Sequence, residues 1–311
     1  MSDETDIDYR KYLTSRRDPE TGEEYWKLRA GNLRRIPDEL RHIPNIREID
    51  LMNSTICEPD SLRGLKDLRR LDLMGTKLGN LGFVADLPGL VALDICETDV
   101  GDLTPLAALS DHGELRELRM GQEVQRAAIS DLAPLRDLAK LEHLYIVRTS
   151  VSDLSPLVNL PRLSWLEADN TLVEELPQMG GLTALSYLSL DNTGIADLMP
   201  LAYVETLTEV RLSHCNVRDI SPLLNVSGLK VLTIDGNPIA DQSLIQHLTG
   251  LEMLWLDRLT PAEVPYLAPL KKLRRLLVKG IDEQERARLD PMLGELGIPG
   301  WGGNPHDNGL I

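Results

Sequence analysis

A period of 22 residues governs this chain more than any other feature. A leucine or isoleucine opens an LxxLxLxx block at Ile46, Leu68, Leu90, Leu115, Leu141, Leu163, Leu185, Leu207, Leu229, Leu251 and Leu273. The spacings are 22, 22, 25 and 26, and then 22 six times. Both irregular steps can be located: "SDHGE" lengthens the turn before Leu115, and "GQEVQRAA" lengthens the loop after Met120. Such a repeat means a stack of like units. Each is too small to bury its own apolar face and is stabilised by its neighbours.

Within a unit, "LEHLYIVRT" (141–149) alternates in the manner of a strand. Leu144 and Ile146 point inward, while His143, Tyr145 and Val147 point outward. One strand per coil predicts a parallel sheet. In the second half, "VSDLSPL", the apolar Val151, Leu154 and Leu157 fill the opposite side of the coil. Ser155-Pro156 reads as an N-cap with proline at the first helical position, and Thr104-Pro105 and Ser221-Pro222 repeat the device. Asp102, Asp131, Asp153, Asp197, Asp219 and Asp241 precede these turns, where a carboxylate accepts turn amides. A column of carboxylates would also suit calcium, but the glycine-rich calcium nonapeptide is absent. With a single Phe in the chain, the core must be aliphatic.

Over roughly residues 23–281 the pattern resembles the leucine-rich-repeat family, in the 22-residue class of internalin-like proteins and of the leucine-rich regulatory subunit of type-1 protein phosphatase. The resemblance implies an α/β solenoid: a right-handed superhelix with a parallel concave sheet and short 3₁₀ or α turns on the convex side. It also implies that the ninth residue of each unit bonds the turn backbone. The family usually has Asn there; this chain has Ser54, Thr76, Thr98, Thr149, Thr171, Thr193, Cys215 and Asn237. A hydroxyl, which donates and accepts, substitutes for the amide. Functionally the family mostly shares an ability to bind proteins, with regulation of an enzyme such as a phosphatase as the alternative.

The expected organisation has four parts. Residues 1–45 form an N-terminal cap, including the degenerate unit "YWKLRAGNLRRIPDEL" and the turn "RDPETGEE"; residues 46–281 form eleven repeats. Residues 282–297 form a helical cap with a second helix start at Asp290-Pro291, and residues 298–311 a glycine-rich, irregular tail. Trp301 in that tail either tucks back onto the cap or serves as a docking handle.

Charge narrows the partners. With 33 basic and 49 acidic residues the net charge is −16, which repels nucleic-acid backbones and anionic membranes and favours a basic protein partner. Cys57, Cys96 and Cys215 form no CxxC pair, the N-terminus lacks an apolar signal region, and no apolar run reaches a membrane-spanning length. A cytoplasmic protein, monomeric when unbound, is expected. Phosphate-binding, dinucleotide, zinc-protease and nucleophile-elbow motifs are absent, and the six histidines lack metal-ligand spacing. Glu97 would raise the thiol pKa of Cys96, so that residue reads as a surface or interface thiol; Cys57 and Cys215 read as structural. No enzyme, cofactor or metal is expected.

Function is then sought at the third, fifth and seventh residues of each unit, which point outward and which the scaffold does not dictate. These positions hold eleven acids against five bases, and four of the seven aromatics between residues 46 and 281. Asp50, Asp72 and Asp94 stack in one column; Asp169, Asp191, Asp235 and Asp257 stack in another, interrupted by Ser213. Like charges on adjacent strands repel. This reading therefore expects Lys at 169, 191 and 235 to leave thermal stability unchanged or improved. The candidate residues for binding a basic or mixed-charge protein on this concave face are His143, Tyr145, Trp165, Glu167, Asp169, Tyr187, Asp191, Arg211, His214, Asp235, Trp255 and Asp257. The alternative is that aromatics simply suit strands and acids simply keep the chain soluble.

Overall fold

A computed structural model describes residues 9–31, 33, 35–56, 59–298 and 300–302. The chain forms two compact units, Met1–Val151 and Ser152–Ile311. The first opens with an antiparallel hairpin, β1 (Leu13–Arg17) and β2 (Glu24–Arg29). Asp18 builds its turn, accepting the N–H groups of Glu20 and Thr21 at 2.9 and 3.0 Å. In parallel register follow β3 (Ile46–Asp50), β4 (Arg70–Asp72), β5 (Ala92–Asp94), β6 (Glu117–Arg119) and β7 (His143–Tyr145). The second unit holds β8 (Trp165–Glu167), β9 (Tyr187–Ser189), β10 (Glu209–Arg211), β11 (Val231–Thr233), β12 (Met253–Asp257) and β13 (Arg275–Lys279), again parallel and in order. It ends with helix α1 (Glu283–Glu295) and β14 (Gly300–Gly302).

Each unit thus has the leucine-rich-repeat architecture: one short strand per coil, 3₁₀ turns on the other side, and leucines between. Leu144, Leu166, Leu188, Leu232 and Leu254 have no exposed surface, nor have Leu163, Leu185 and Leu207 from the opening slot. Phe83 is likewise fully buried.

Two devices repeat at the end of each strand. The eighth residue turns the chain with a left-handed backbone: Asn53, Gly75, Glu97, Arg148, Asn170, Asn192, His214, Gly236, Arg258 and Gly280 all have φ between 40° and 75°. The N–H groups of Asn53, Gly75, Glu97, Asn170, Asn192, His214 and Arg258 donate to the seventh carbonyl of the next coil, as in Asn170 to Asp191 at 2.8 Å and His214 to Asp235 at 2.7 Å, and that of Gly236 to the Asp257 carboxylate. The ninth residue then closes the turn, except at Ser54, whose buried hydroxyl has no hydrogen-bond partner. The hydroxyls of Thr76, Thr98, Thr149, Thr171 and Thr193 each donate to the carbonyl three residues back, at 2.7 to 2.8 Å. Asn237 makes the same bond through Nδ2, to Ile234 at 3.0 Å, and reaches Leu212 in the previous coil at 2.6 Å. Cys215 fills the slot as a buried thiol donating to Leu190.

Several expectations need correction. Ser155 is not the cap of its turn: it lies inside the 3₁₀ segment Ser155–Leu157, and Asp153 accepts its N–H at 2.7 Å. Asp102, Asp131, Asp197, Asp219 and Asp241 act likewise on the residue two places on, at 2.7 to 2.9 Å. Asp290-Pro291 does not start a second helix, because α1 runs through Pro291 and buries Leu289 and Leu293 four residues apart. Its true start is a capping box between Asp282 and Glu285. The tail is not wholly irregular, since β14 pairs in parallel with Arg275–Leu277. The side chain of Trp301, residues 1–8 and 303–311, and Cys57 lie outside the described residues. Among the described residues no helix is long and apolar enough to cross a membrane.

The ninth-residue hydroxyl is a test of this scaffold. Thr171→Val keeps shape but leaves the buried Ala168 carbonyl without its side-chain donor, and is expected to lower unfolding free energy by about 1 kcal/mol in urea melts. Unchanged stability would remove the hydroxyl from the set of interactions that close the coil.

Candidate functional site

In the second unit the register of β8 to β13 sets the outward side chains in three columns. The third residues are Trp165, Tyr187, Glu209, Val231, Met253 and Arg275; the fifth are Glu167, Ser189, Arg211, Thr233, Trp255 and Leu277. The seventh are Asp169, Asp191, Ser213, Asp235, Asp257 and Lys279.

Adjacent strands bring Trp165 and Tyr187 face to face, with ring centroids 3.5 Å apart and planes 6° from parallel. Arg211 lies over the Tyr187 ring at 5.6 Å, and its Nε donates to Glu209 at 2.7 Å. The result is a continuous row of Trp, Tyr and guanidinium, fixed at one end by a carboxylate. Farther along, the Lys279 ammonium stands 5.7 Å from the centre of the Trp255 ring and donates to Asp235 at 2.6 Å. Trp165, Glu167, Asp169, Asp191, Arg211, Trp255 and Asp257 are half-buried, and His214 at the turn is exposed.

Two candidate residues are buried. Tyr187 lies beneath Trp165 and Arg211 and keeps 7% of its surface, and Asp235 keeps none. Burial pushes the Tyr187 hydroxyl well above its usual range.

The aspartate column is bound into the scaffold. Asp169 Oδ1 accepts the Ser189 hydroxyl at 2.6 Å and the Asp191 N–H at 2.8 Å. Asp191 accepts the Ser213 N–H at 2.6 Å, Asp235 accepts the Ser213 hydroxyl at 2.6 Å, and Asp257 accepts the Gly236 N–H. The expectation that stability did not select these acids is therefore corrected: each carboxylate ties one coil to the next. Sequence reasoning missed Ser189, Ser213 and Lys279 as their partners. The 22-residue step from Ser213 back to Asp191 was the available signal.

In the first unit His143 and Tyr145 lie on the outward face of β7, both half-buried, and Arg119 covers the Tyr145 ring at 4.6 Å. Asp50, Asp72 and Asp94 form a row on β3 to β5, each accepting the N–H two residues on. A depression of about 230 Å³ opens over that row, with Arg70 and Arg119 on its rim. Burial pushes the Asp72 carboxyl up, with Asp94 and Asp50 adding to it. Among the described residues no group of three His, Cys, Asp or Glu is placed to hold a metal ion. Burial, reinforced by Asp94, pushes the Cys96 thiol far above the range in which it would ionise.

No protein-family model matches the sequence, and no curated protein does. Solved structures do match. An internalin, InlF, from Listeria monocytogenes is 24% identical, over 86% of this chain and 77% of that one, with a TM-score of 0.72. A second internalin from that organism is 27% identical, over 63% of this chain and 82% of that one, with a TM-score of 0.56. The plant peptide hormone receptor RGFR1, in complex with RGF2, is 18% identical over 89% of this chain and 48% of its own, with a TM-score of 0.62. These likenesses are likenesses of fold.

Asp169 and Asp191 make stability depend on pH. Burial pushes Asp169 up to about 6, and Asp191 adds to the effect; burial pushes Asp191 up to about 6, and Asp235 adds to it. A carboxyl raised in the folded state holds more protons there than in the unfolded chain, where its pKa is about 3.9. Stability therefore falls as pH rises from about 4 to about 6, and the full cost of burying the charge applies above that window. Asp191→Asn keeps an acceptor for the Ser213 N–H without the charge. It is expected to gain on the order of 1 kcal/mol in urea melts at pH 7.5 and nothing at pH 4. Asp191→Lys offers no acceptor and is expected to lose stability at pH 7.5; a gain there would restore charge repulsion as the controlling effect.

Proposed function

Because the chain has the leucine-rich-repeat fold, we propose that it is a non-catalytic protein-binding module acting through the outward sheet face of its second unit. Its partner presents a basic surface. The stacked pair of Trp165 and Tyr187 carries this reading. One ring is buried as a support and the other keeps part of its surface in solvent, which makes a rigid aromatic anchor with few rotamers to freeze. Glu167, Asp169 and Asp191 flank that anchor and set the sign of the charge it meets. Arginine side chains satisfy both features, stacking on aromatic rings while donating to carboxylates. The roles open to such a module are adaptor, inhibitor and immunity protein.

The test is a captured partner and a single substitution. Trp165→Ala uncovers Tyr187 and is expected to lower the urea midpoint; measured where the variant is still fully folded, it is expected to weaken the partner by more than about 1 kcal/mol, roughly fivefold in Kd. A partner held by wild type and variant with equal affinity would place the binding face elsewhere. Recovery of a metallophosphatase as that partner would narrow the role to enzyme regulation.

A further inference from the structure

The outward face of the second unit already holds one cation in a built seat, and that cation belongs to the chain itself. Lys279 lies at the end of β13, yet its Nζ donates to Asp235 Oδ2, 44 residues back, at 2.6 Å. β12 separates the two, so the side chain spans a whole strand, crossing by the Trp255 ring. Asp235 has no exposed surface, whereas the Lys279 side chain is 41% exposed. The acid is the fixed half of the pair and the base is the half that can leave.

The floor of the seat carries a polar group that Lys279 does not satisfy. Thr233 sits between Arg211 and Trp255 in register. It shares the outward face with Asp235, two residues on. Only 2% of its surface is exposed, and its Oγ1 has no hydrogen-bond partner. An unpaired buried hydroxyl is a cost the fold would not accumulate without reason. Arg211 is committed elsewhere, to Glu209 and the Tyr187 ring. The charged groups facing the seat are Asp191, Asp235 and Asp257, set against Arg211, His214 and Lys279; His214 Nε2 stands 3.6 Å from Asp235 Oδ2.

We propose that the position the Lys279 ammonium now takes beside Trp255 and Asp235 receives one arginine side chain of the protein partner, and that Lys279 is its internal stand-in, displaced when the partner docks. This rests on the protein-binding reading above and names the chemistry at the middle of that face. A guanidinium stacks on Trp255 and donates to Asp235, as the ammonium does. Its five N–H groups in a planar fork also reach a second acceptor, which Thr233 Oγ1 provides. The exchange of one cation for another leaves Asp235 compensated throughout.

The experiment titrates a tetra-arginine peptide, with tetralysine and tetraglycine as comparisons, into wild type, Lys279→Met and Lys279→Arg. It follows the indole N–H resonances of Trp255 and Trp165, assigned with Trp255→Phe and Trp165→Phe. Lys279→Met is expected to bind tetra-arginine at least fivefold tighter than wild type and to move the Trp255 resonance. Tetralysine should gain less, and Lys279→Arg should stay at the wild-type level. Lys279→Gln repeats the measurement if melting shows Lys279→Met unfolded. Equal or weaker binding without the ammonium, or an unmoved Trp255 resonance, overturns the inference and makes Lys279 a fixed strut. If the peptide moves Trp165 alone, the seat falls and the protein-binding face stands; if it moves neither indole, both fall.

Discussion

A coil of 22 residues has no core of its own, and the handover from one coil to the next carries every other feature of this protein. The handover is made at the end of each strand. The eighth residue adopts a left-handed backbone so that its N–H meets the next coil, and the ninth returns a hydroxyl or amide to the strand it has just left. Asn and Gly suit the first task because neither strains there. Glu97, Arg148, His214 and Arg258 do not, and their presence shows that the ladder overrides local preference. One missed register step would turn the leucines outward. The inward slots are accordingly uniform, while the outward slots are free to vary.

Carboxylates serve this scaffold in three ways. Asp102, Asp153 and their counterparts bind the amides of their own 3₁₀ turns. Asp50, Asp72 and Asp94 bind amides just past their own strands. Asp169 and Asp191 bind the amide of the neighbouring coil. Many of the acids behind the net charge of −16 therefore also close turns or join coils through hydrogen bonds. A partner on this face meets those carboxylates together with Glu167 and the cations laid over aromatic rings.

That distinction marks the limit of what could be read from residues alone. The strands, the inward leucines and the ninth-residue ladder were legible because the period is strict and each role is local to one coil. The burial of Asp235 and Tyr187 was not. Tyr187 is covered by Trp165 on the adjacent strand and by Arg211, and Lys279 reaches Asp235 from 44 residues on, across β12. Ser155 looked like a cap because hydroxyls often cap, yet Asp153 is two residues nearer the turn's entrance. Asp290-Pro291 looked like a helix start because local preference says so, but burial of Leu289 and Leu293 carries α1 through it. β14 has no side-chain pattern to read; the backbone beside β13 forms it.

The same burial gives the face a means of rejecting partners. A carboxylate sealed from water is tolerable while a cation stays beside it, and removing that cation leaves a buried charge uncompensated. Asp235 is such a carboxylate, and Lys279 is held to it by a long, partly exposed side chain. An apolar or acidic surface pressing on Trp255 would push the ammonium aside and offer nothing in its place. A basic surface replaces what it displaces. Selection against wrong partners then comes from the acid beneath the surface, and the aromatic rings add affinity to whatever passes that condition.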